Sequence, residues 1–385
     1  MNLEAVIRSR SLLICVGAGG VGKTSMAATI GLQAARLGRK VLVVTIDPAQ
    51  RLANALGLPR FGNDPTQVDL SAVEGATGEL WAMMLDTQKT FDDLIERAAP
   101  DETARRRILD NPIYRSISDS FSSSHDYMAT EMLYEVVSEG LYDLVVLDTP
   151  PVKNALDFLD APGRLARFLD KQIIKWFLGP YDEGKVFSRL VSGTSHVVFR
   201  LLGHIFGREF LAELSEFFMA FRDLYEGFRA RHEAVVRLFG ARGTAFVVVC
   251  APTGSTVDIA GYFHDELRRR RLPVAGTILN QLHQLGRLPA DPRELVGPLL
   301  TALSADLPPD TAERVLARVG AAHGRLRELA EVEAGVARTL RSRLGVGAPI
   351  WVVPRVSGAL HDVVALDRVG RLLVQASGKL PSEET

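Results

Sequence analysis

Residues Gly17-Ala18-Gly19-Gly20-Val21-Gly22-Lys23-Thr24 complete the pattern G-x-x-x-x-G-K-[ST], and only a strand–loop–helix unit can display such a loop. The flanks agree. An apolar run, Leu12–Val16, leads in, and helical spacing predicts a helix from about Lys23 to Leu37, stopped at Gly38. Glycines let the backbone wrap closely around phosphates, so that loop N–H groups and the helix N-terminus face their oxygens. On this reading Gly17, Ala18, Gly19, Gly20, Val21, Gly22, Lys23, Thr24 and Ser25 cradle a nucleoside triphosphate. Lys23 reaches the β- and γ-phosphates and the Thr24 hydroxyl ligates Mg²⁺.

The rest of the chain supports the same kind of fold. Apolar runs at Val41–Ile46, Leu80–Leu85, Leu144–Leu147, Ala245–Cys250, Val274–Leu279 and Ile350–Val353 lack polar alternation. Such runs read as strands buried on both faces, hence a mostly parallel sheet. With helices between them, the expected architecture is α/β: a doubly wound P-loop NTPase domain spanning residues 1–385. Two stretches interrupt the alternation and are expected to be helical insertions. Residues 159–240 hold helical spacing throughout, and residues 286–345 are rich in Ala, Leu and Arg. In the second, Pro289, Pro292, Pro298, Pro308 and Pro309 are expected to divide the segment into short helices.

Composition excludes several alternatives. With 45 basic against 46 acidic residues the net charge is −1, which offers no general attraction to nucleic acid. Two cysteines, Cys15 and Cys250, cannot build a disulfide scaffold or a four-cysteine zinc site. Both lie in predicted buried strands and read as small core residues. The N-terminus lacks a signal-peptide apolar region and no apolar run approaches bilayer length, so a cytoplasmic protein is expected.

Two carboxylates follow buried strands. Asp148 ends Val145-Val146-Leu147 at the sheet edge where α/β proteins bind ligands, and suits the Walker B role beside Mg²⁺. Asp47 follows Val41–Ile46 and precedes Pro48. It reads both as a helix N-cap with proline in the first turn and as a group that orients the attacking water.

The Gly-Gly-Val-Gly-Lys-Thr core, Asp47-Pro48-Ala49 and Asp148-Thr149-Pro150-Pro151 together resemble the deviant Walker A ATPases of the ArsA and guided-entry type. Thr45-Ile46-Asp47-Pro48-Ala49, Met83-Met84-Leu85-Asp86 and the stretch from Asn154 to Pro162 are similar to bacterial anion-transporter ATPases. The likeness covers residues 11–163 and 244–282 best. It implies that Asp47 belongs to switch I and Asp148 to switch II, both near Mg²⁺, with Thr149 to Asn154 as a mobile strap. It further implies that Asn280 reads adenine and that Pro354 begins the loop over the base. The family also implies a dimer, with a second copy or with a related ATPase.

The sequence departs from that family in ways that matter. Most members carry lysine at the second loop position, reaching the partner's phosphates, where this chain has Ala18. A missing trans cation predicts slow hydrolysis, with Arg51 and Lys153 as replacement cations or simply solvated side chains. Arsenite binding needs several converging thiolates, so a pump-driving role is rejected, and no Cys-x-x-Cys zinc clamp exists.

Of 17 phenylalanines, 12 fall between Phe158 and Phe239. Phe210, Leu214, Phe217, Phe221, Leu224 and Phe228 share one helical face. A client groove for a hydrophobic helix and a plain core both remain open for 159–240. Arg268–Arg271 reads as a solvated helix end.

The expected function is therefore Mg²⁺-dependent ATP hydrolysis, with ATP and ADP states of a dimeric switch controlling a hydrophobic client or membrane partner. The alternative is a nucleotide-dependent scaffold with negligible turnover.

Overall fold

A computed structural model describes residues 2–46, 51–58, 62–85, 125–150, 233–284, 309–345, 347–356 and 362–375, together with the isolated positions 90, 102, 106, 230, 231 and 298. All seven predicted strands are present, and each begins or ends within about two residues of its apolar run except β7, which runs on to Leu282. They are β1 (Leu12–Gly17), β2 (Lys40–Thr45), β4 (Glu79–Met84), β5 (Leu144–Asp148), β6 (Thr244–Cys250), β7 (Val274–Leu282) and β8 (Ile350–Pro354). A two-residue strand β3 (Thr66–Gln67) was not visible in the sequence, because it is too short to show a pattern. The eight strands form one sheet in the order β3-β4-β2-β5-β1-β6-β7-β8. Every pairing is parallel except β3 with β4 at the edge.

Uninterrupted apolar strands are explained by two separate cores. In β1, Leu12, Ile14 and Val16 point to one layer while Leu13 and Cys15 point to the other. The first layer holds α4 (His125–Glu139), α5 (Gly254–Arg269) and α6 (Pro309–Leu344). The second holds α1 (Leu3–Ser9), α2 (Lys23–Arg36), α3 (Arg51–Leu56) and α7 (Val363–Gln375). Successive strand side chains alternate between faces, so a sheet covered on both sides needs apolar residues at every position. This is the doubly wound arrangement the sequence predicted.

Helix α2 is buried along most of its length between the sheet and α7. Small residues permit this closeness. A Cβ added at Gly31 would lie 2.4 Å from Val43 Cγ2, and one at Gly370 of α7 would lie 2.1 Å from Gln33 Nε2. Asp367 then accepts from Gln33 at 3.2 Å and pairs with Arg36 at 3.2 Å and Arg371 at 2.8 Å. At the opposite sheet edge from the loop, the Arg39 guanidinium donates to the carbonyls of Ile7, Arg10 and Asp143.

One expectation about the helices is corrected. From residue 309 onward the segment is not a set of short helices but a single helix of 36 residues, about 54 Å long. Pro309 is its first residue, where a missing N–H costs nothing and the fixed φ favours helix initiation. Among its described side chains, buried positions appear only toward the C-terminal third, at Glu333, Ala337, Leu340 and Leu344. The remainder of the 286–345 expectation, residues 286–297 and 299–308, lies outside the described residues. So does most of the 159–240 insertion, where the described residues 233–240 are helical and bury Val235 and Phe239.

Candidate functional site

The loop connects β1 to α2 at the carboxyl edge of the sheet. Gly17 sits against β6: a Cβ there would lie 2.1 Å from the Val249 carbonyl oxygen. Gly22 caps α2 with φ +86, and a Cβ there would lie 2.5 Å from Asn280 Nδ2. These two positions therefore require glycine for close approach and, at Gly22, for the left-handed backbone. No acidic residue occupies the first turn of α2 and no side chain caps it, which leaves the positive helix end facing outward from the loop. Lys23 is only 7% exposed, and its Nζ donates to the Ala18 carbonyl at 2.8 Å. The Ala18 side chain is 5% exposed and belongs to the apolar layer under α2.

Asp148 ends β5 directly beside this loop. Its Oδ2 accepts from Thr24 Oγ1 at 2.6 Å and from Thr45 Oγ1 at 3.1 Å. The parallel register brings Thr45 and Cys15 level with Asp148 on either side. Thr45 was missed by the sequence reading, although a hydroxyl residue closing an apolar strand was its available signal. Thr149 was named only as part of the strap; its hydroxyl donates to the Cys15 carbonyl at 2.7 Å. Cys15 itself is buried, and burial together with the Asp148 charge pushes its thiol far above the ordinary range. Burial likewise pushes the Cys250 thiol up to about 12. Both are inert core residues, as expected.

Oxygen donors at this point suit a hard divalent cation. Among the described residues no group of three or more His, Cys, Asp or Glu side chains could hold a metal. A Mg²⁺ here would instead rest on the Thr24 hydroxyl, the Asp148 carboxylate and phosphate oxygens, the sparse protein set that Mg²⁺ accepts. Asp47, the other carboxylate assigned near the metal, lies outside the described residues, as do Lys153 and Asn154. Arg51 is exposed at the first residue of α3.

A second group of side chains meets the loop from β7 and β8. Asn280 is buried and donates from Nδ2 to the Val21 carbonyl at 2.9 Å. The pairing of β7 with β8 explains its aim. Leu279 faces Val352, but the next pair is Leu282 with Pro354, so β7 carries one extra residue. Gln281 takes φ +65 in this bulge, which redirects the strand end. A cleft of about 220 Å³ results, lined by Gly22, Ser25, Met26, Asn280, Pro354 and Val369, among others. Asn280 and Pro354, 74 residues apart in sequence, thus meet at the loop. Gln281, Arg355 and Val356 also line the cleft and were not foreseen, because a bulge is a property of register and leaves no local pattern.

Among the described residues no helix is long and apolar enough to cross a membrane. Residues 10–285 match the family model described as anion-transporting ATPase. ATPase GET3 of Podospora anserina is 28% identical over 172 residues, covering 44% of this chain and 49% of the relative. ATPase get3 of Aspergillus terreus is 28% identical over 173 residues, covering 44% and 49%. A putative arsenical pump-driving ATPase of Halobacterium salinarum is 29% identical over 175 residues, covering 45% of this chain and 27% of that protein. The chain spans about half, or less, of the length of these relatives.

Proposed function

The chain belongs to the anion-transporting ATPase family, and from that premise we propose that it is a Mg²⁺-dependent ATP hydrolase acting as a slow, dimeric nucleotide switch. The observation that carries this reading is the meeting of Lys23, Thr24 and Asp148 at the N-terminus of α2, within a 2.6 Å contact of Thr24 with Asp148. Backbone N–H groups of the loop and the open helix end bind the phosphate oxygens. Lys23 exchanges the Ala18 carbonyl for the β- and γ-phosphates. Thr24 and Asp148 would hold a Mg²⁺, which would supply positive charge to the phosphate oxygens. Thr45 holds the Asp148 carboxylate in place. Asp47 orients the water that attacks the γ-phosphorus, and ADP leaves as the bond to its β-phosphate oxygen breaks. Asn280 and Pro354 hold the adenine in the cleft beside Gly22.

Slow turnover follows from Ala18, whose buried methyl offers no charge to a partner's phosphates. The nucleotide state is read by a hydrophobic client or membrane partner through the segment 159–240. Trapping with Asp47→Asn and comparing partners retained with ATP and with ADP tests the switch. Retention that ignores the nucleotide overturns it.

The burial of Ala18 also favours a second reading, a scaffold that binds ATP and dimerises without hydrolysing it. Single-turnover assays separate the two. Bound ATP that converts to ADP supports the ATPase, whereas nucleotide-dependent dimerisation with intact ATP supports the scaffold.

A further inference from the structure

Just past the bulge, β7 is held both by its neighbour strand and by a helix. Arg355 donates its backbone N–H to the Leu282 carbonyl at 2.9 Å. His283 then makes two contacts with one carboxylate: its backbone N–H donates to Glu333 Oε2 at 2.8 Å and its ring Nδ1 lies 2.8 Å from Glu333 Oε1. Glu333 is 7% exposed and is the first member of the buried stripe Glu333, Ala337, Leu340, Leu344 on α6. Three-and-four spacing would place an apolar residue there. A carboxylate at that position, taking both donors of a residue 50 positions away, is expensive to bury unless both contacts are made.

The placement gives those contacts a purpose. A bulge leaves its extra residue unpaired and lets the strand end bend, and Gln281 adopts a left-handed backbone that is uncommon for a residue with a long side chain. Asn280, which donates to the Val21 carbonyl, lies within that bend. We propose that Glu333 is a positioning residue for base selectivity: through His283 it fixes the Asn280–Gln281 bulge and so ties the long helix α6 to the nucleotide cleft. This rests on the reading that the cleft holds the base. Glu333 touches no substrate, and the phosphate loop is built without it.

The test uses the full chain and three probes: ATP, GTP and inorganic tripolyphosphate, which reports the loop alone. Glu333→Ala should reduce the ATP-over-GTP preference about tenfold while tripolyphosphate affinity stays within about twofold. Glu333→Gln keeps acceptor capacity for one donor and should fall between. His283→Ala, which removes the ring contact from the other side, should shift the preference in the same direction. An unchanged preference in Glu333→Ala or His283→Ala overturns the proposal. Equal weakening of all three probes also overturns it, since that is what general loosening of the fold would do. If Asn280→Ala leaves the preference untouched, the base-cleft reading fails and the clamp loses its function with it.

Discussion

At the loop end of the cleft the polar groups come from one unbroken stretch, Gly17 to Thr24, and from the strand ends Thr45 and Asp148 that the parallel register places beside it. At the β7–β8 end they come from Asn280, a bulged Gln281, Pro354 and a carboxylate on α6. The first end is held by backbone geometry, by glycines that cannot accept a Cβ, and by the Thr24 and Thr45 hydroxyls on Asp148. The second is held by a few side-chain contacts across long sequence separations. On the function proposed above, chemistry that tolerates little displacement would sit at the first end, and selectivity, which can drift without loss of the reaction, at the second.

The largest effect that would sharpen this contrast is at Lys23. Lys23→Ala should lower ATP turnover by about 100-fold or more, because a fixed cation on the transferring phosphate is lost. Comparable turnover in the variant, measured by phosphate release, would break the assignment of the loop end.

Acid should act next, and on the other end. His264 of α5 is 3% exposed and contacts Thr277 of β7 at 2.7 Å, three residues before the bulge. Burial, then Arg268, lowers its imidazole from 6.5 to about 4, with Asp265 opposing. The unfolded chain takes up the proton near the ordinary value, so this stability is complete above 6.5 and declines as pH falls toward 4. Between pH 7 and pH 5 the loss is about 2 kcal/mol, readable by urea unfolding. His264→Gln should flatten that slope; an unchanged slope would place the sensitivity elsewhere.

At the cleft itself, Asn280→Ala should reduce the preference for ATP over GTP about tenfold, the worth of one hydrogen bond, with turnover at saturation little altered. A collapse of turnover would show that the two ends are not separable. Smallest is Arg271→Gly, at the exposed turn leading into β7, where φ is +57. Relief of that backbone should raise stability by about 0.5–1 kcal/mol. Thermal unfolding that shows no gain would mean that this entry to β7 is unstrained.

Legibility in the sequence followed the same division. Consecutive residues spell the phosphate loop, and buried strands announce themselves because both faces must be apolar, so β1 and Asp148 could be placed. Asn280 could be named from resemblance, yet its aim depends on a register shift against β8 that no single segment contains. Glu333 and His283 were silent for a related reason: a lone glutamate in a helix is normally solvated, and only the meeting of α6 with β7 makes it a buried partner. Pro309 was misread because proline both ends and begins helices, and the flanking pattern alone did not decide between them.

The burial of α2 has a thermodynamic consequence. Held between the sheet and α7, its amides should open only when the packing on both of its sides is undone, so their hydrogen exchange should report global unfolding. A ligand bound at its N-terminus raises that free energy by mass action, about 2.7 kcal/mol at one hundred times its dissociation constant. Protection should therefore rise by one common factor from Met26 to Ala35, with no gradient away from the loop. Occupancy of a loop only a few residues long is thereby registered in the solvent exposure of the whole central sheet.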